Sequence, residues 1–430
     1  MIKPGLISKR NIFSWILFLL FASSALAQPK GQFAAFQRNN IFLETNFVPS
    51  DTGYACFISY RISFDNLIFV KNDHKFNAGI TLDFELLNDS KIVERKTSSK
   101  SISVDSYDST ISQKDFLQGV LRLDIGRKNY VLNSFVSIAN GDRNLHLDSI
   151  KINQAEIIKH SVLRPIAVIK DGTDCGTEFP FQLVNFENTI PFSPSSAELL
   201  IPVADTSVSK IIVSVTQDKK AVFTKAISDY VTNKFGFLDC NDKIYFQKSD
   251  GNKALKYFYV PDVNGELKEG PADVEVKTDS SKMASFIIHV FWNDKPRSLM
   301  MPEMAIQCLA AIEKPEVIDS LLSLDKDEYA KALSEYWNGK FPEKKHVFNE
   351  YEFEYYQRVD YALKKFGSVV NKNGAKSDRG MIYIRYGQPD EIKRDYNNSN
   401  MAIEIWTYKR LNKEFLFTDK TGLGNYTLGQ

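Results

Sequence analysis

Cysteine and histidine are scarce in these 430 residues, four of one and five of the other. Four cysteines are too few for a fold that depends on disulfides, and neither a Cys-x-x-Cys nor a His-x-x-x-His spacing occurs, which leaves a structural zinc site without support. The histidines are dispersed, at His74, His146, His160, His289 and His346. His346 precedes the long C-terminal helix and the other four lie in other domains, so the C-terminal block has no His-based general base or nucleophile activator. Glycine-rich phosphate loops and nucleophile elbows are missing too. Asp171-Gly172-Thr173-Asp174 begins like a calcium loop but lacks the later Glu and the intervening acidic ligands. The reading therefore includes no cofactor and no metal. Charge of one sign is also lacking: 54 Lys+Arg against 53 Asp+Glu leave a net of +1, with no basic stripe interleaved with aromatics. That excludes a global footprint for nucleic acid.

One apolar run stands out, at the N-terminus. Lys3, Lys9 and Arg10 precede Ile12 to Phe21, and Ala25-Leu26-Ala27 supplies small residues on either side of Leu26 just before Gln28. This is the pattern of a secretory signal peptide over residues 1–27, cut between Ala27 and Gln28. The run is about half the roughly 20 residues that cross a bilayer, and no later segment comes closer, so the mature chain is expected to have no integral membrane span. Removing the leader takes away three basic residues and no acid, moving the net charge from +1 to −2. The expected address is the periplasm, the cell surface or the medium. In an oxidising compartment Cys175 and Cys240, both in polar loop settings of one unit, form the candidate disulfide. Cys56 in an alternating strand and Cys308 on an apolar helix face are expected as buried thiols.

Aromatic content is high, with 31 Phe and 19 Tyr, and the patterning through the first two-thirds is that of short strands. Phe76, Ala78, Ile80, Leu82, Phe84 and Leu86 alternate with polar or small residues, the period of a half-buried strand. Comparable runs occur at 41–47, 54–62, 67–70, 120–125 and 131–138, separated by turn clusters such as Asn88-Asp89-Ser90. A second series covers 181–184, 198–203, 210–215, 255–260 and 285–291. The expected fold is mainly β: two tandem sandwiches of immunoglobulin or fibronectin character at 33–162 and 163–295, a helical linker at 296–340, and a C-terminal α+β domain at 341–430. In that last domain Phe348, Tyr351, Tyr355, Val359, Ala362 and Phe366 give one helical stripe. Strands are expected at 381–386, 403–410, 414–418 and 426–428, so a helix lies across a small antiparallel meander.

The C-terminal block carries the densest set of candidate site residues. Gly374, Ser377, Asp378, Arg379 and Gly380 lead into Arg385, Tyr386, Gly387, Pro389, Asp390 and Glu391. Glu404, Trp406, Asp419 and Gly422 follow. Asp378 is expected to accept backbone N–H groups, Asp390 to cap the backbone after its turn, and Arg385 to pair across strands with Glu404. Tyr355-x-x-Arg358-Val359-x-Tyr361-Ala362, then Arg379-Gly380-x-Ile382-Tyr383-Ile384-Arg385-Tyr386-Gly387-x-Pro389-Asp390-Glu391, then Glu404-x-Trp406-x-Tyr408 and Phe415-x-Phe417-x-Asp419-x-x-Gly422-x-Gly424 occur in order. Together they resemble the GWxTD domain family of secreted or envelope proteins in certain bacteria. In the naming motif Ala375 stands where the family has Trp and Ser377 where it has Thr, while Gly374 and Asp378 are kept. The family has no established reaction. The resemblance therefore implies identity and an exported location without chemistry; the sandwich architecture, the sparse histidines and the lack of a reactive constellation point instead to a non-enzymatic scaffold, or an interaction or adhesion module, with a protein or glycan of the cell envelope as partner. The alternative is a carboxylate-dependent hydrolase acting through the C-terminal domain. Sequencing the N-terminus of the exported form should give Gln28 first; a mature chain beginning at Met1 would remove the leader from this account.

Overall fold

The computed structural model describes residues 41–112, 114–153, 161–172, 175–176, 179–279, 283–342 and 346–429. The expected leader with its Ala27–Gln28 cleavage site, His160, and Thr173 and Asp174 of the calcium-like fragment lie outside the described residues.

Four β-sheets stack face to face. In sheet I, β1 (Ile41–Pro49), β2 (Tyr54–Ser63) and β6 (Phe116–Ile125) run antiparallel with β2 in the centre. Sheet II contains β3 (Val70–Asn72), β4 (Lys75–Asn88), β5 (Lys91–Val104), β7 (Tyr130–Ile138) and β8 (Asn144–Ile152), in which β5 and β7 flank β4. Sheet III has seven strands: β9 (Ile166–Lys170), β10 (Phe181–Leu183), β12 (Glu198–Val203), β15 (Tyr230–Asn233), β16 (Phe235–Cys240), β17 (Lys243–Lys248) and β18 (Leu255–Val260). Sheet IV has β11 (Thr189–Pro191), β13 (Ile211–Gln217), β14 (Lys220–Ile227), β19 (Gly270–Thr278) and β20 (Met283–Phe291). Three hairpins turn on two residues with positive φ and no glycine: Asp89-Ser90, Asp218-Lys219 and Asn241-Asp242. This is the backbone twist that lets a two-residue loop join antiparallel strands, and Asp and Asn tolerate it best among residues with a Cβ.

The two sandwiches are not beads in tandem; they share a core. Cys56, Ile58, Tyr60 and Ile62 of β2 pack with Ile80, Leu82 and Phe84 of sheet II. The alternate residues Ala55 and Phe57, with Phe42 and Val48 of β1, pack against Val168, Phe237 and Phe246 of sheet III. Every residue of β2 is buried as a result. A third core lies between sheets III and IV, built from Ile201, Val213, Phe258, Val274 and Ile288. The order of layers is therefore II, I, III, IV. Lys100 of β5 reaches from sheet II to Asp239 (2.7 Å) and Asp242 (3.3 Å) on the β16–β17 hairpin of sheet III. Cys240 at the end of β16 is disulfide-bonded to Cys175, 65 residues earlier. Closing a loop of that size stabilises a fold by about 4 kcal/mol in the chain-entropy account. Cys56 and Cys308 are buried thiols.

Where sheets I and III meet, the interface becomes polar at one end. Glu44 is fully buried and accepts from Arg164 Nη1 at 2.6 Å and from the Asn188 N–H at 2.7 Å. The Arg61 guanidinium lies about 4.5 Å from the ring centres of Phe42, Phe116 and Phe186 and donates to Asn293 Oδ1 at 3.2 Å. Burial lowers its pKa to about 9. Glu187, at positive φ in the neighbouring turn, accepts from the Leu43 N–H at 3.3 Å. Burial pushes the Glu187 carboxyl up to about 7. Glu44 and Asp148 push the same way, against the Leu43 N–H and Arg61.

Residues 296–340, expected as a linker, instead build a core. Helices α1 (Pro302–Cys308), α2 (Pro315–Leu322), α3 (Tyr329–Lys340), α4 (Glu350–Lys365) and α5 (Asp378–Tyr386) follow the stack. Ile306, Leu309, Leu333 and Trp337 share one cluster with Tyr356, Val359, Ala362 and Ile384. Asn349 caps α4 by accepting from the N–H groups of Tyr351 and Glu352, with acids in the first turn and Lys364 and Lys365 in the last. Rings of Phe192, Trp292, Phe348 and Phe353 join the helices to sheet IV, with neighbouring centroids 5.1–5.9 Å apart. The chain ends in sheet V, a meander of β21 (Glu391–Tyr396), β22 (Ala402–Tyr408), β23 (Lys413–Asp419) and β24 (Tyr426–Leu428).

Residues 381–386, expected as a strand, are the last six residues of helix α5, and the meander's first strand is β21 instead. Met381 and Ile384 face the helical core while Ile382, Tyr383 and Tyr386 face sheet V. A helix with two dry sides shows apolar residues on both, and over six residues that imitates a period of two.

Glu187 fixes the sign of one pH effect. The folded chain keeps its proton up to about pH 7, whereas the unfolded chain releases it near 4.5, so stability falls as pH rises through that window. Glu187→Gln should therefore stabilise the protein by about 1–3 kcal/mol at pH 8 and by little at pH 4.5. Denaturant titrations at both pH values check this; equal shifts at the two would contradict it.

Candidate functional site

The C-terminal motifs converge on helix α5 and its supports. Its N-terminus is set by Ser377, whose hydroxyl accepts from the Gly380 N–H at 3.1 Å and donates to the Gly374 carbonyl at 2.7 Å. The two glycines are dictated by crowding. A Cβ on Gly374 would sit 2.1 Å from the Ala362 carbonyl oxygen at the end of α4, and one on Gly380 would sit 1.9 Å from the carbonyl oxygen of Gly374. Ala375 is buried in the helical core, in the position where the family has Trp. Asp378 does accept a backbone N–H, but it is that of Leu428 in β24, at 2.7 Å, so it fastens the edge of sheet V to the helix.

Arg379 crosses from α5 to the inner face of sheet V. It donates to Glu404 at 3.3 Å and to the Gly424 carbonyl at 3.2 Å, and its guanidinium lies 4.0 Å from the centre of the Tyr426 ring. Glu404 is buried on β22 and also accepts from Arg394 Nε at 2.9 Å and Trp406 Nε1 at 3.1 Å. Burial alone would raise its pKa; Arg394, Arg379 and Trp406 outweigh that and hold it below the usual carboxylate range. Asp419 repeats the arrangement with backbone donors. It accepts from the N–H groups of Thr421, Gly422 and Gly424 at 3.1, 2.9 and 2.7 Å, which depress its pKa against the opposing effect of burial. Gly422 and Gly424 have φ of +69° and +78°, and that turn needs them.

The remaining candidates are dispersed. Arg385 does not reach Glu404 as expected, because α5 points it the other way, and its Nε donates to the Ala311 carbonyl at 2.7 Å. The Tyr386 ring stacks on Phe415, and its hydroxyl accepts from Lys413 at 3.2 Å. Gly387 has φ of +80°, with its carbonyl accepting from the Tyr408 hydroxyl at 2.8 Å. Pro389 is buried. Asp390 is exposed and accepts from the Lys409 N–H at 2.7 Å, across the hairpin rather than from the residues just after it. Glu391 lies 3.8 and 3.9 Å from Lys393 and Lys409. In the preceding helix Tyr355 donates to the Cys308 carbonyl, Arg358 to that of Ile384, and Asp360 accepts from the Arg297 and Ser298 N–H groups.

Sequence reasoning missed Arg394 and Tyr426, the partners that complete the Arg379–Glu404 cluster, and the Glu44–Glu187–Arg61 group between sheets I and III. Arg394 lies three residues after Glu391, so a strand placed at 391–396 would have put it beside Glu404. No spacing in the sequence joins Glu44 to Glu187. Chemically, two carboxylates held ionised by multiple donors make poor proton donors, and Glu404 and Asp419 answer to different partners rather than to each other. Among the described residues no three His, Cys, Asp or Glu side chains gather as a metal site. The Asp171 carboxylate of the calcium-like fragment is held by Lys243 and Tyr245, each at 2.8 Å.

Residues 274–428 match the GWxTD domain, so the domain begins well before Phe341, where the sequence reading drew its boundary. No curated protein matches the chain. Solved structures match only distantly, three of them as follows. The native conformation of Escherichia coli α2-macroglobulin is 11% identical, with 60% of this chain and 16% of that one covered and a TM-score of 0.15. Salmonella α2-macroglobulin reacted with methylamine is 12% identical, covering 60% and 17%, with a TM-score of 0.14. The Yersinia pseudotuberculosis adhesin InvE is 10% identical, covering 90% and 97%, again with a TM-score of 0.14. The chain thus spans about a sixth of the macroglobulins' length, and scores of this size lie far below the level at which two folds are alike.

Removing the Glu404 charge leaves Arg379 without its buried counter-ion, so Glu404→Gln should cost about 2–4 kcal/mol at neutral pH. The contribution is present above the ordinary carboxylate range and lost as pH falls through the lowered folded value. Gly380→Ala should cost at least about 2 kcal/mol through backbone displacement, and Asp390→Asn or Glu391→Gln no more than about 0.5. Denaturant unfolding measures all four; equal losses across the set would contradict the ranking.

Proposed function

We propose that the chain is an exported, non-enzymatic protein of the bacterial envelope: a rigid β-stack that carries a GWxTD domain and engages a protein or glycan partner through its surfaces. One observation carries this reading. The acids, bases and glycines of the C-terminal motifs are taken up by backbone and core contacts that lock α5 between two hydrophobic clusters, and among the described motif residues no two carboxylates meet. The Cys175–Cys240 disulfide supports an oxidising destination, as does the leader pattern. The hydrolase reading needed two carboxylates converging with a raised pKa in the C-terminal domain. Glu404 and Asp419 are both shifted the other way.

The test is to immobilise the chain that begins at Gln28 and pass envelope extract over it. The expected outcome is a partner retained at fixed stoichiometry across repeats, together with no turnover of ester, peptide or glycoside substrates. Product release that disappears in Glu404→Gln or Asp419→Asn variants still folded by circular dichroism would overturn the reading; so would failure to retain any partner.

A further inference from the structure

On the face of sheet II turned away from sheet I, three rows of side chains lie in register. Thr81, Asp83 and Glu85 of β4 oppose Ser99, Thr97 and Arg95 of β5 on one side, and Ser137, Phe135 and Asn133 of β7 on the other. Phe135 in turn opposes His146 of β8, whose imidazole stacks on it at 4.7 Å between centroids and 14° between planes. The outward side chains of Asp83, Glu85, Arg95, Thr97 and Phe135 frame a hollow of about 460 Å³, floored by the strand at Phe84, whose own ring is in the core. Arg95 Nε donates to Glu85 Oε1 at 2.9 Å and the Thr97 hydroxyl to Asp83 Oδ1 at 2.5 Å. Those bonds orient the polar groups yet leave the second oxygen of each carboxylate and several guanidinium N–H groups open to a ligand.

We propose that this hollow binds a neutral sugar of an envelope glycan, with the ring seated on Phe135. The proposal rests on the partner-binding function argued above and names the partner's chemistry. A pyranose presents one face of C–H groups and a rim of hydroxyls. The C–H face suits the negative face of an aromatic ring, and the rim hydroxyls can donate to the carboxylates of Asp83 and Glu85 while accepting from Arg95 and Thr97. The size is that of a small-ligand site, which holds one or two rings. Charge argues against anionic envelope ligands: two acids against one guanidinium repel phosphate and uronate. A cationic peptide, which the open carboxylate oxygens would also attract, is the rival that the tetralysine arm below tests.

The experiment is isothermal titration of the exported chain with chitotetraose, cellotetraose and mannotetraose, and with tetralysine as the cationic control. At least one tetrasaccharide should bind. Phe135→Ala should weaken it at least about tenfold and Phe135→Leu, which keeps apolar bulk without the ring, by a similar factor. Asp83→Asn, which preserves shape, should weaken it roughly three- to tenfold. Melting temperatures near that of the parent chain establish that the variants fold. No binding of any tetrasaccharide, binding untouched in both Phe135→Leu and Asp83→Asn, or preference for tetralysine would each overturn the site. The two readings fail separately: an envelope protein retained by the immobilised chain with no sugar bound sinks only the glycan site. A sugar bound and cleaved sinks only the non-catalytic reading.

Discussion

Helix α5 is held dry on two sides, and the polar chemistry of the C-terminal domain follows from that. Ile384 and Met381 must reach the helical core while Ile382, Tyr383 and Tyr386 reach sheet V, so the helix cannot slide or roll without exposing one set. A nine-residue helix has too few internal hydrogen bonds to stand by itself. Its ends are therefore fixed from outside: Ser377 and the two close-packed glycines at the start, Arg358 and Gly387 at the finish. Asp378 and Arg379 tie the first turn to β24 and β22. In this geometry a motif that reads as chemically rich is the frame of a joint between a helical bundle and a sheet.

The same double burial sets what the sequence could disclose. The long stripe of α4 faces one core on one side, so its period is legible, and Glu350–Lys365 falls inside the helix expected around Val347–Phe366. Helix α5 faces two, and its Ile382-x-Ile384-x-Tyr386 run imitates a strand. Strand β4 was legible because it has one wet face. Strand β5 was missed: with one neighbour and a run of Lys, Ser and Thr, it is a polar edge strand that carries little alternation. In the candidate site, the residues were legible as a set, and the Cys175–Cys240 pairing as an expectation. Which partner each would meet was not, since Arg385 and Arg379 exchange directions once 381–386 is wound as a helix.

Burial on both faces recurs at the other end of the molecule, in β2, and there it produces the shared core that unites what alternation alone read as two domains. A strand with ten buried residues ordinarily carries only apolar side chains. Here Ser59 and Arg61 sit among them, on the face toward sheet III, and the layer contact tolerates Arg61 because three phenylalanine rings surround it and Glu187 lies in its field. Such an arrangement favours one registry of sheet I on sheet III over others, because any slip would leave Arg61 or Glu44 buried without its partner.

Rigidity of this kind narrows where recognition can occur. Sheets I and III are covered on both sides by neighbouring layers, and the inner face of sheet V is closed by α5 and the Trp406 cluster. A partner must therefore meet edges, loops, the exposed sides of the helices or the outer faces of sheets II, IV and V. Of these, the outer face of sheet IV presents isolated apolar side chains, Ile212, Met283 and Ile287, and that of sheet V presents Leu416 opposite Ile405. On sheet II a ring, two carboxylates and a guanidinium frame one hollow, held in place by cross-strand bonds among themselves. A binding surface gains most when its groups need no reordering on contact. The fold supplies that condition at sheet II because β4, whose inner face is anchored in the core by Ile80, Leu82, Phe84 and Leu86, fixes the spacing of Thr81, Asp83 and Glu85 on the opposite side.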